Sequence, residues 1–209
     1  MIPARAAAAQ LGRKLEYFTI AWNTIEGLLA IILGAIAGSI SLVGFGLDSF
    51  IEVMSGAALL WRMSVDADVQ RREMNERRAL RMVGICFLLL ALYLTYESGA
   101  DLWFKRAPER SVLGIILACV SLAVMPILSR EKRKVGRELN SVAMQADAKQ
   151  TDFCMYLSAI LVGGLILNAQ FNLWWADPAA ALLMVPLIAK EGISAMRGEK
   201  CADCHTAAE

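Results

Sequence analysis

Histidine is almost missing from this chain: there is one in 209 residues, His205, close to the C-terminal end. With no nucleophile–base constellation visible elsewhere, that scarcity argues against an enzyme. An excess of one charge is missing too. Lys and Arg number 21 against 20 Asp and Glu, a net charge of +1, and the basic residues are scattered between apolar blocks. Nucleic acid is therefore not an expected partner. No low-complexity linker, internal repeat or polar stretch long enough for a soluble domain interrupts residues 16–197. The first apolar run follows Arg5, Arg13 and Lys14 without a small-residue cleavage site, and is read as a retained helix. The 5 cysteines suggest no disulfide framework, because Cys86, Cys119 and Cys154 lie in apolar runs and only Cys201 and Cys204 are close in sequence.

What is abundant is apolar side chain: 57% of residues, with a mean hydropathy of +0.51. A membrane-crossing helix takes roughly 20 such residues. Six segments fit, at about 16–38, 40–62, 80–103, 111–129, 138–168 and 176–196. The link after the second carries Arg71, Arg72, Arg77 and Arg78, and the link after the fourth carries Arg130, Lys132, Arg133, Lys134 and Arg137. The first and fifth links, Gly38–Ser41 and Ala169–Trp175, have no Lys or Arg, while the third has Lys105, Arg106 and Arg110. Positive charge marks the cytoplasmic side. The expected fold class is thus an all-α integral membrane protein of six transmembrane helices with N and C termini cytoplasmic, in a bacterial inner (plasma) membrane. Its expected parts are a cytoplasmic tail over 1–15, the helical domain over 16–197 and a short Cys/His-containing cytoplasmic tail over 198–209. Phe171, Trp174 and Trp175 suit an aromatic belt. Asp177-Pro178 predicts an N-cap followed by proline at the first helical position, and Pro126 and Pro186 should kink or end their helices.

Charged residues inside these segments point to chemistry. Asp48 and Glu52 lie near the middle of the second segment, four residues apart and so on one helical face. A central carboxylate costs about 2.5–3.5 kcal/mol on insertion scales, so the pair needs a basic or hydroxyl partner, protons or a bound cation. No Lys or Arg occupies the middle of the first four segments, which favours the cation. In the fifth segment Asp147, Gln150, Thr151, Cys154 and Ser158 fall on one face, whereas Lys149 and Asp152 project elsewhere and could pair with each other. Carboxylate and thiolate are ordinary ligands of first-row metals, with sulfur favouring zinc and softer ions; a polar face used only for packing is the plainer alternative. Glu26, with Asn23 one turn before it, either lines a pathway, relays protons or is a hydrogen-bonded acid at a helix contact. Glu97 and Asp101, near the end of the third segment, read as interfacial or mouth residues and not as ligands. At the C-terminal end Cys201, Cys204 and His205 form C-x-x-C-H, which could hold a soft metal or belong to an unimportant tail.

The stretches GSISLVGFGLDSFIEVMSG, ADAKQTDFCMYLS and WWADPAAALLMVPLIAKEG resemble the second, fifth and sixth helices of the cation diffusion facilitator (cation efflux) family, over roughly residues 15–197. The resemblance implies export of zinc or a related divalent cation, a tetrahedral metal site between the second and fifth helices, proton-coupled antiport by alternating access, and a homodimer. Asp48 and Glu52 match the two second-helix ligand positions, with Glu in place of the commoner Asp. Gln150 and Cys154 fall on the fifth-helix positions, where many relatives have His and Asp, and Asp147 would supply the missing charge. Typical members continue into a cytoplasmic metal-binding domain, so this chain reads as a truncated branch. The expected partners are the transported divalent cation, most simply zinc, protons and the lipid bilayer, with no permanent cofactor. Two other readings remain: a non-transporting membrane metal sensor or chaperone acting through the C-x-x-C-H tail, and a structural helical membrane subunit with packed acids.

Overall fold

Long apolar stretches with short polar links become helices in a bilayer because a helix satisfies its own backbone groups without water. The computed structural model describes residues 2–64, 69–139 and 141–197, and these form six helices: α1 (Ile2–Ala37), α2 (Ile40–Ser64), α3 (Val69–Phe104), α4 (Val112–Glu138), α5 (Val142–Phe171) and α6 (Ala176–Arg197). All six are long and apolar enough to cross a membrane, and the protein is an all-α integral membrane protein. The outward faces carry the expected lipid-facing stripes, such as Ile25, Leu28, Leu29, Ile32 and Ile36 on α1 and Met82, Ile85, Leu89, Leu92 and Tyr96 on α3. Cys201, Cys204 and His205 lie outside the described residues.

Helix ends differ from the sequence expectation in an informative way. α1 already runs from Ile2, through the residues expected as a tail, and α3 starts at Val69 rather than near residue 80. α4 continues to Glu138, so the cluster from Arg130 to Arg137 is helical and not a link. Lys, Arg and Glu are good helix formers, and hydrophobicity marks only where lipid ends, not where a helix does. Pro126 and Pro186 stand inside α4 and α6, which continue past them; surrounding helices make an interior proline tolerable in a membrane bundle.

The most extensive pairings are α3 with α6, α1 with α2, and α4 with α5, and α2 also packs against α3, α5 and α6. Small residues permit the closest approaches. A Cβ on Gly84 would stand 2.7 Å from the Gly192 carbonyl oxygen, and one on Gly192 would stand 3.0 Å from that of Gly84. Gly27 and Gly46 perform the same service between α1 and α2, where a Cβ on Gly46 would lie 2.9 Å from the Gly27 carbonyl oxygen.

One end of the bundle is closed by polar contacts. Gly38, at φ +63°, terminates α1 in the left-handed region, and Ser39 Oγ accepts from Leu42 N at 3.2 Å, capping α2. Asp177 does not act as the N-cap expected of it, because α6 already starts at Ala176. Its buried carboxylate instead reaches α2, accepting from Ser39 Oγ and Ser41 Oγ at 2.5 Å each and from Ile40 N at 2.9 Å. A buried anion at a helix N-terminus meets both unpaired N–H groups and the positive end of the dipole. At the same end Glu109 N donates to Ala37 O at 2.7 Å, Arg110 donates to Asn172 at 2.5 Å, and Arg106 pairs with Asp101 at 3.6 Å.

The Gly84–Gly192 contact yields a paired test. Gly84→Ala should cost about 1–3 kcal/mol through overpacking. Gly163→Ala, whose added Cβ meets nothing within 4 Å, should stay within about 0.5 kcal/mol of the parent. Unfolding midpoints of both variants in detergent micelles decide the matter, and coincident midpoints would contradict the close approach.

Candidate functional site

Four helices turn polar faces towards one another beneath the capped end. On α1, Glu16, Thr19, Asn23 and Glu26 recur at spacings of three and four, and all are buried. On α2, Ser49 accompanies Asp48 and Glu52, each acid being 2% exposed. On α4, Ser121, Ser129 and Lys132 are buried, and on α5 so are Asp147, Thr151, Cys154 and Ser158.

The α2–α5 contact joins part of the expected ligand set. Thr151 Oγ1 donates to Glu52 Oε1 at 2.9 Å, and Cys154, one turn further along the same face of α5, is buried. Asp48 lies one turn from Glu52, and no donor or ion-pair partner among the described residues engages it. Gln150 is partly buried, with its Nε2 unpaired. Glu26 Oε2 is 3.4 Å from the Ser49 hydroxyl. Among the described residues no three His, Cys, Asp or Glu side chains converge closely enough to enclose an ion in this conformation.

Asp147 is engaged elsewhere. Lys132 Nζ donates to its Oδ2 at 2.5 Å and stands 3.4 Å from Glu16 Oε1 and 3.4 Å from Thr151 Oγ1. The sequence places Lys132 in a solvated link; the extension of α4 carries it inside, with its side chain at 0% exposure. Glu16 is missed for the complementary reason, since it lies at the expected margin of the first span. The signal was periodic: Lys132 continues the buried α4 face of Ser121, Met125 and Leu128, and Glu16 continues that of Asn23 and Glu26. Asp152 is bound by Arg133 and Ser129 of α4.

Buried polar atoms without partners are concentrated here. Glu52 Oε2, Glu26 Oε1, Asp147 Oδ1 and both amide atoms of Asn23 have no hydrogen bond. Leaving such a group unpaired costs about 1–3 kcal/mol, and native proteins retain such groups where they serve a purpose. The oxygens that face inward from α1 and α2 suit a cation or protons, whereas the Lys132 cluster already contains its own cation.

Residues 80–198 match the family model described as the cation efflux transmembrane domain. The chain belongs to that family. The match covers α3 to α6 and leaves the α2 acids outside it. Among individual proteins, the chain is 26% identical to transmembrane protein 163 of Xenopus laevis over 184 residues, 86% of this chain and 64% of that one. It is 28% identical to an uncharacterized transporter of Methanocaldococcus jannaschii, over 82% of this chain and 62% of that one. It is 30% identical to the magnetosome protein MamB of Magnetospira sp., over 85% of this chain and 61% of that one. This cation efflux chain therefore spans about three fifths of the length of each of these relatives.

Thiol burial gives a direct check on the site. Cys154 is buried and Cys119 is exposed. In variants retaining only one of these cysteines, N-ethylmaleimide should modify Cys154 at least about a hundredfold more slowly than Cys119, since access limits a buried thiol. Intact-mass kinetics in detergent measure both, and equal rates would be incompatible with the packing around Glu52.

Proposed function

We propose that this protein carries a divalent metal cation, with zinc the first candidate, across the membrane in exchange for protons. The observation that carries this reading is the burial of Asp48 and Glu52 together on α2, facing Thr151 and Cys154, with no Lys or Arg ion-paired to either among the described residues. Two carboxylates offset the charge of one divalent ion, and a thiolate from Cys154 favours zinc over harder cations. Gln150 adds a neutral oxygen one turn from Cys154, while Asp147 joins the first shell only on leaving Lys132. Carboxylates and thiol must lose protons to bind metal, so cargo and protons compete for the same atoms. Alternating access then follows from rocking the α2–α5 contact so that the site opens to one side at a time. With both termini cytoplasmic, as the basic residues in the first turns of α3 and the last turns of α4 favour, the exchange expels metal. A homodimer belongs to the same reading.

Flux into proteoliposomes under an imposed pH gradient tests it. Zinc flux of the parent should fall at least about tenfold in Asp48→Asn, a loss of about 1.4 kcal/mol or more in effective binding. Cys154→Ser should lower zinc flux more than manganese flux. Unchanged flux in Asp48→Asn would remove the proposed site, and loss of function only on deleting residues 200–209 would favour a sensor acting through the tail.

A further inference from the structure

Lys132 is the only buried Lys or Arg among the described residues, and neither the ligand set nor the proton exchange uses it. From α4 it contacts two other helices directly and reaches a third through a hydroxyl. Its ammonium contacts Glu16 of α1 and Asp147 and Thr151 of α5 from its own position on α4. Thr151 has one hydroxyl proton, and because the charged Glu52 Oε1 at 2.9 Å is nearer than the Asp147 carbonyl oxygen at 3.2 Å it donates that proton to α2 while accepting from Lys132. A single polarised chain therefore runs from the ammonium to the carboxylate proposed to bind cargo. The cluster also has a definite place along the bundle. A Cβ on Gly56 would lie 3.3 Å from Glu16 Oε2, so the ion pairs cross the interior one turn beyond Glu52, towards the Ser64 end of α2.

We propose that Lys132 is a tethered gate cation: it closes the acidic interior on the Ser64 side, and a divalent ion arriving from that side reaches Glu52 only by displacing the ammonium from Asp147 and Thr151. The proposal rests on Asp48 and Glu52 being a cation site and gives Glu16 and Lys132 a role in reaching it. An ammonium and a divalent ion repel each other and compete for the same oxygens, so the two occupancies exclude one another. Displacing Lys132 also breaks the junction of α1, α4 and α5, which ties cargo arrival to the helix movement that exposes the site. The cluster has an oxygen to receive an incoming ion, since Asp147 Oδ1 lacks a hydrogen bond, and Glu16 is freed as Lys132 leaves.

Amine reactivity at Lys132 distinguishes a gate from a structural ion pair. The full chain in detergent is reductively methylated with and without saturating zinc, and modification at Lys132 is read by peptide mass spectrometry, alongside calorimetric zinc titration. Lys132 should be protected without metal and become at least about tenfold more reactive with zinc, as an ammonium released from burial would. Asp48→Asn should abolish both zinc binding and the increase. Lys132→Met should bind zinc at least about tenfold tighter, because the competing charge is gone, and Lys132→Arg should keep the parental affinity. Zinc binding with no change in Lys132 reactivity overturns the gate and leaves the transport site standing. Absence of zinc binding in the parent chain overturns the site and the gate with it. The labelling arm needs no Lys132 variant, so a folding failure of Lys132→Met leaves the test intact.

Discussion

Charge removed from water must be answered inside the bundle, and the answer varies along α2. At its start Asp177 brings a full carboxylate into the interior and satisfies it with two serine hydroxyls and the free N–H groups of the helix. One turn past Glu52, Glu16 and Asp147 share the ammonium of Lys132. Between these two compensated places lie Asp48 and Glu52, with the Thr151 hydroxyl donating to Glu52. Breaking a buried ion pair by removing one partner costs about 3–5 kcal/mol, so the Lys132 cluster is held firmly, and the Asp177 carboxylate is held by its hydrogen bonds. The middle is not. Function is assigned to the stretch where compensation runs out, because only there does an added cation or proton improve the electrostatics.

The helix packing serves this arrangement. Glycine contacts between α1 and α2 and between α3 and α6 let backbones approach closely, which forms firm helix pairs. The contact between α2 and α5 includes the Thr151–Glu52 hydrogen bond, and a polar contact of that kind can be remade around a different occupant. The family relationship rests on α3 to α6, while the chemistry ascribed to the site depends on how α5 meets an α2 that lies outside that match.

Six spans, their order and the shared face of Asp48 and Glu52 were legible in the sequence, since span length and helical periodicity are local properties. The α5 stripe of Asp147, Thr151, Cys154 and Ser158 was legible in the same way, and all four side chains are buried. The partners were not. Asp177 looked like a cap for its own helix and caps α2 instead, and Lys132 looked solvated and is enclosed. Each pairing joins residues far apart in the chain: 138 positions from Ser39 to Asp177 and 116 from Glu16 to Lys132. The sequence by itself determined which residues share a helical face and that acids lie within apolar spans, because both follow from rise per residue and hydropathy. Only the tertiary structure decided which acids were already neutralised, because an ion pair depends on how two helices are placed against each other and no local spacing encodes that distance.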